Sequence, residues 1–187
     1  MSDTAEPLPL QAGIRSRSIS GVNGLNMHIL EAGFESDGPA AKRPLVLLLH
    51  GFPEIAYSWR KQMLPLAQAG FHVVAPDQRG YGRTTGGDTS FDGHWQSCRL
   101  LNFVRDLLFL VNALGRTHVA AVIGHDFGSP VAAWAALSWL TNWVIACRFL
   151  PCWGRWLNTL KSRGSNIHQS PPGSSEDIDD VHCGLER

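Results

Sequence analysis

Asp126 is the carboxylate whose neighbours best suit it to chemistry. It stands in Gly124-His125-Asp126-Phe127-Gly128, directly after the strand-like run His118–Ile123. Two glycines bracketing a reactive residue suit a sharp strand-to-helix turn, where backbone crowds backbone and a Cβ has no room. The residue at the tip must accept a positive φ, which Asp tolerates better than most non-glycine residues. With an ordinary pKa near ~3.9, an Asp there is already an anion at neutral pH and attacks without a base to activate it. The plainer use of such an Asp is to cap the following helix. Two upstream segments favour the nucleophile instead: His50-Gly51-Phe52-Pro53-Glu54 after the apolar run Pro44–Leu49, and Asp77-Gln78-Arg79-Gly80-Tyr81-Gly82-Arg83-Thr84 after Phe71–Ala75.

The elements that must carry these segments follow from periodicity. Arg15–Val22 and Leu25–Ala32, split by Asn23-Gly24, predict two strands joined by a two-residue hairpin turn. Glu35–Lys42 reads as a loop and Pro44–Leu49 as a parallel strand buried on both faces. Ile55–Ala69 predicts a helix stopped by Gly70, and Phe71–Ala75 a strand closed by Pro76. Leu100–Leu114 is the clearest helix: Leu101, Val104, Leu107, Leu108, Val111 and Leu114 recur at helical spacing before Gly115. Pro130 suits the first turn of the helix after Asp126, where its missing N–H costs nothing. Such alternation argues for an α/β fold, a mostly parallel sheet flanked by helices.

Composition sets the outer bounds. The chain has 187 residues, 44% of them hydrophobic and 17% charged, which suits one globular domain. Sixteen basic and sixteen acidic side chains cancel, so nothing points to nucleic acid. Acids near Met1, without a basic-then-apolar order, argue against a secretory signal, and a cytoplasmic setting with reduced thiols is expected. Residues 127–147 carry no charge, about the ~20 residues of a membrane span. Gly128, Pro130, Ser138, Thr141 and Asn142 within that stretch favour a buried helix, and membrane attachment is not expected. Cys147, Cys152, His168, His182 and Cys183 fit no zinc spacing, so no metal is expected either.

Taken together and in this order, His50-Gly51-Phe52-Pro53, Asp77–Thr84 and Gly124–Gly128 resemble the α/β-hydrolase superfamily and, within it, the epoxide hydrolases. Haloalkane dehalogenases are the nearest alternative. The resemblance covers roughly residues 15–138. It implies that Asp126 attacks an epoxide carbon and forms a covalent aspartyl ester, which water hydrolyses to a vicinal diol. Epoxide and water would be the only partners, and no cofactor would take part. It places the oxyanion-hole donors on the backbone N–H groups of Phe52 and Phe127. His50, Gly51, Pro53, Gly124 and Gly128 would be structural, with His50 fixing its loop, and His125 would point away from Asp126. Arg79 is expected to pair with Glu54 in a loop that serves as scaffold. Phe127 weakens the dehalogenase alternative, because those enzymes typically use a Trp N–H there to hold the departing halide and Phe has no such donor.

The resemblance also implies groups that this sequence lacks. The family's general-base histidine and its acid come late in the chain, and its epoxide-activating tyrosines come from a cap. Only Tyr57 and Tyr81 exist, both before Asp126, and His168 and His182 lack the family's surrounding pattern. After Leu137 the text changes: tryptophans 139, 143, 153 and 156 cluster, then 161–187 turns polar, a composition that resists packing. The expected organisation is a mobile lead-in at 1–14, the N-terminal part of an α/β-hydrolase domain at 15–140, truncated after the nucleophile helix, and an unmatched, disordered or aberrant tail at 141–187. With no strand expected beyond that helix, Val119–Ile123 would be a bare apolar sheet edge. A chain with half the catalytic groups would be inactive, and a non-catalytic remnant or interaction protein is the alternative from another class.

Overall fold

The computed structural model describes residues 7–34, 43–87, 98–138 and 144–148, the last stretch by its backbone. All of them lie within one compact unit, Met1–Pro151. Strands β1 (Ile14–Val22) and β2 (Leu25–Ala32) form the predicted hairpin. Asn23 and Gly24 turn it with φ of 51° and 82°, the left-handed pair that a two-residue turn demands. β3 (Leu45–Leu49), α1 (Arg60–Gln68), β4 (His72–Pro76), α2 (Leu100–Ala113), β5 (Ala121–His125), α3 (Gly128–Ser138) and β6 (Val144–Arg148) follow. A single 3₁₀ turn, Ala56–Trp59, begins the segment expected to be one helix.

The strands form one six-stranded sheet in the order β1-β2-β4-β3-β5-β6. The hairpin joins antiparallel to β4, and β4, β3, β5 and β6 run parallel. All five β3 residues are buried, as an apolar run at the centre of a parallel sheet requires. Fully burying one such Leu or Val is worth ~1.5–3 kcal/mol, so β3 anchors the core against which α2 and α3 pack.

Two expectations are corrected here. The β5 edge is not bare: β6 pairs with it in parallel from Ala121↔Val144 to His125↔Arg148. Periodicity hid this strand because 131–147 has no Gly or Pro to mark where helix yields to strand, and a five-residue parallel strand shows no alternation. The charge-free stretch thus holds an 11-residue helix and all of β6 except Arg148. Among the described residues, no helix is long and apolar enough to cross a membrane.

The second correction is the partner of Arg79, which lies on α2. The inward stripe of that helix is Phe103, Val104, Leu107, Leu110 and Val111, whereas Leu101 is 59% exposed. Apolar residues occur all round this helix, so spacing alone leaves its rotation open. Asp106 decides it. Buried at 2% exposure, it accepts a two-pronged bond from Arg79 at 2.9 and 2.6 Å and a third from Asn23 Nδ2 at 2.7 Å. Arg79 thus meets Asp106 and not Glu54, and Asp106 ties both the 77–84 loop, through Arg79, and the β1–β2 turn, through Asn23, to α2. The loop expected at 35–42, the lead-in through residue 6, and Cys152, His168, His182 and Cys183 lie outside the described residues.

At the opposite end of β4, Glu31 is fully buried among Arg15, Arg17 and His72. Burial alone would raise its pKa, but hydrogen bonds from His72, Arg17 and Arg15 outweigh that and lower it from 4.5 to about 2. A carboxyl whose pKa is depressed on folding adds stability that is fully present above its unfolded value and lost on acidification. Unfolding free energy should therefore decline as pH falls from 4.5 towards about 2. Glu31→Gln should flatten that decline in urea titrations and cost ~1–3 kcal/mol at neutral pH, the arginines being partly exposed.

Candidate active site

The carboxyl end of β5 delivers Asp126 to the sheet's rim. Asp126 has a φ of 49°, the positive value that the Gly-x-Asp-x-Gly frame predicts, and α3 begins two residues later. Ser129 closes the turn twice: its N–H donates to Asp126 O at 2.9 Å and its hydroxyl to Gly124 O at 3.0 Å. The turn fits only without side chains at its flanks. A Cβ on Gly124 would overlap the Gly128 carbonyl, and one on Gly128 would overlap the Leu49 and His50 carbonyls. The α3 N-terminus is therefore pressed against the end of β3.

That contact brings in the second predicted segment. Gly51 lies so close to the turn that a Cβ on it would overlap Asp126 itself. The next N–H, that of Phe52, donates to Asp126 Oδ2 at 2.9 Å. Asp126 is solvent-exposed, yet its pKa is lowered, first by the Phe127 N–H and then by the Phe52 N–H. Phe52 and Phe127, the two backbone donors implied for an oxyanion hole, thus converge on this one carboxylate. The Phe127 ring turns inward, edge-on to Phe103 at 5.2 Å between centroids.

His50 is fully buried. Its Nε2 accepts from the Gln78 N–H at 2.9 Å, so Nδ1 carries the proton and donates to Gly51 O at 3.0 Å. Burial holds the imidazole below its ordinary pKa, against the opposing pull of the Gly51 bond and of Asp77 and Glu54. Both ring nitrogens are thus engaged, one by Gly51 O and the other by the Gln78 N–H. Pro53 follows Phe52 through a cis peptide bond. His125 lies beside Glu54, Nδ1 to Oε2 at 3.5 Å, with both side chains about half exposed.

Asp77 anchors the third segment. It accepts from the N–H groups of Ala56 and Arg83 at 2.8 and 2.9 Å and bonds His28 Nδ1 at 2.8 Å. Burial would raise its pKa, but these bonds prevail and keep it below the ordinary carboxylate range. Asp77 so ties the loop after β3 and its own 77–84 loop to strand β2. Sequence reasoning treated 77–84 as a scaffold loop and did not single out Gln78 or the His28–Asp77 pair. Their partners are 28 and 49 residues away, and no local pattern marks them.

The sequence model for the alpha/beta hydrolase fold matches residues 44–138, about half of the chain. The chain belongs to the α/β-hydrolase family. Among characterised relatives it is 40% identical over 126 residues to epoxide hydrolase A of Mycobacterium tuberculosis, covering 66% of this chain and 34% of that protein. It is 42% identical over 110 residues to epoxide hydrolase 3 of Siraitia grosvenorii, covering 59% and 30%. Among solved structures it is similar to an epoxide hydrolase from an endophytic Streptomyces, with a TM-score of 0.63 and 36% identity over 76% of this chain and 39% of that one. An epoxide hydrolase from Vigna radiata gives 0.61 and 35% over 75% and 41%. The chain spans about a third of the length of the curated relatives it matches.

Because the Gly128 Cβ would strike two backbone carbonyls, no rotamer change can relieve it. Gly128→Ala should destabilise the chain by at least the ~1–3 kcal/mol typical of overpacking, read as a lowered thermal midpoint. Gly115→Ala makes a useful contrast, since its Cβ would meet open space and only its φ of 67° is strained.

Proposed function

We propose that the chain carries the nucleophile half of an epoxide-hydrolase-type site. The observation supporting this most directly is an exposed, ionised Asp126 at positive φ whose carboxylate already receives the Phe52 and Phe127 N–H groups. In this reading one carboxylate oxygen attacks an oxirane carbon in line. A carbon–oxygen bond forms to Asp126, the ring carbon–oxygen bond breaks, and the ring oxygen leaves as an alkoxide that takes up a proton. Oδ2 stays on the Phe52 N–H as the ester carbonyl oxygen. Water then adds to the ester carbon, the two N–H groups stabilise the tetrahedral oxyanion, and collapse frees the diol and the carboxylate. A donor already in place needs no reorganisation when the charge arrives.

The inward packing of the Phe127 ring, and its lack of an N–H, support this chemistry over halide release. Water activation limits the 187-residue chain. General-base help is worth ~10²–10⁴-fold, and of the described histidines beside the site, His50 is buried with both nitrogens engaged and His125 lies against Glu54. Of the two tyrosines, Tyr57 donates to Pro9 O at 3.2 Å and Tyr81 packs its ring edge-on against the His50 ring. Ester formation should thus outrun ester hydrolysis, and the adduct should accumulate without diol turnover. Intact-mass spectrometry after incubation with styrene oxide should show one adduct on the wild-type chain and none on Asp126→Ala. Equal labelling of both chains, or none of either, would reject Asp126 as the nucleophile.

A further inference from the structure

We propose that Gln78 is a positioning residue for the oxyanion donor: by holding both the ring and the carbonyl of His50, it sets the Gly51–Phe52 peptide plane so that the N–H meets Asp126. This rests on the reading of Asp126 as nucleophile. Gln78 is buried at 4% exposure and grips His50 at two points. Its backbone N–H donates to His50 Nε2 at 2.9 Å, and its side-chain Nε2 donates to His50 O at 2.5 Å. The first bond selects the His50 tautomer, which leaves Nδ1–H for Gly51 O at 3.0 Å. Gly51 O also accepts from the Glu54 N–H at 2.9 Å.

Gly51 C=O and Phe52 N–H are opposite ends of one rigid peptide plane. Two donors pin the oxygen end, so the N–H end has a fixed direction, and that direction ends on Asp126 Oδ2 at 2.9 Å. The ring arm of this grip is a backbone N–H and persists in any variant at 78, so a substitution removes the side-chain arm, the Nε2 bond that holds the His50 carbonyl at the start of the Gly51 loop. The side-chain half of the grip carries a penalty that packing would not require. Gln78 Oε1 is buried without a hydrogen-bond partner among the described residues, and a methionine of similar volume would avoid leaving it so. What the amide adds is the bond to His50 O, on the carbonyl against which Gly128 is also pressed.

Two NMR signals of the 187-residue chain read the relay without any turnover. They are the carboxyl carbon of Asp126 and the amide of Phe52, followed together through an acid titration. In the wild-type chain the Phe52 amide should move with Asp126 ionisation, and the carboxyl midpoint should lie below the ordinary carboxylate range. In Gln78→Met the Phe52 amide should cease to follow Asp126 and the midpoint should rise, with a cooperative thermal transition retained. Gln78→Leu, which loses the donor and adds no charge, should behave likewise and serves where Gln78→Met fails to fold. A wild-type Phe52 amide blind to Asp126, or variants that fold with the coupling intact, would overturn the proposal. Failure of both variants to fold would assign Gln78 to the core and overturn it too. Alkylation of Asp126 is a separate readout, so loss of the nucleophile reading and loss of the Gln78 relay are distinguishable.

Discussion

The site depends on a backbone-to-backbone contact. The loop after β3 and the turn after β5 meet with no side chain between them, because Gly51, Gly124 and Gly128 each face backbone or Asp126 where a Cβ would stand. That closeness lets the Phe52 N–H reach a carboxylate 74 residues away in sequence. The parallel β3–β5 pairing, with Leu49 beside Gly124, brings the two strand ends to the same height on the sheet. Remove the contact and Asp126 becomes an ordinary exposed carboxylate at a helix start.

Around that contact the fold uses buried charge as mortar. Asp77 joins the loop after β3, the 77–84 loop and β2. Asp106 joins α2, the hairpin turn and Arg79, and Glu31 joins β1 to β4. Each carboxylate collects several donors, the condition under which a buried anion is tolerated. Burial raises the Asp106 pKa despite Arg79 and Asn23, whereas Asp77 and Glu31 are lowered by their donors. The exposed Asp126 differs in its setting: its donors are the Phe52 and Phe127 N–H groups, and its carboxylate is open to solvent.

Much of this was legible in the chain. A turn that tolerates only glycine, or an Asp at positive φ, is a local steric condition, and the residues meeting it stand within five positions of one another. The hairpin at Asn23-Gly24 and the elbow at Asp126 are legible for that reason, and β3 is legible from its unbroken apolar run. β6 is not, because a parallel strand lacks alternation and no Gly or Pro separates this one from the preceding helix. The rotation of α2 is not either, since Leu101 and Phe109 are as apolar as the residues that turn inward.

The sequence by itself determined that a carboxylate would be raised on a strand-to-helix turn beside a glycine-bearing loop, since steric and conformational limits act over a few neighbouring residues. Only the tertiary structure decided which groups meet there. Arg79 chose Asp106 over Glu54, Gln78 took hold of His50, and the two N–H donors converged on Asp126. Those choices rest on distances set by sheet order and helix rotation, and hydrogen bonds between residues tens of positions apart leave no periodic trace in a single chain.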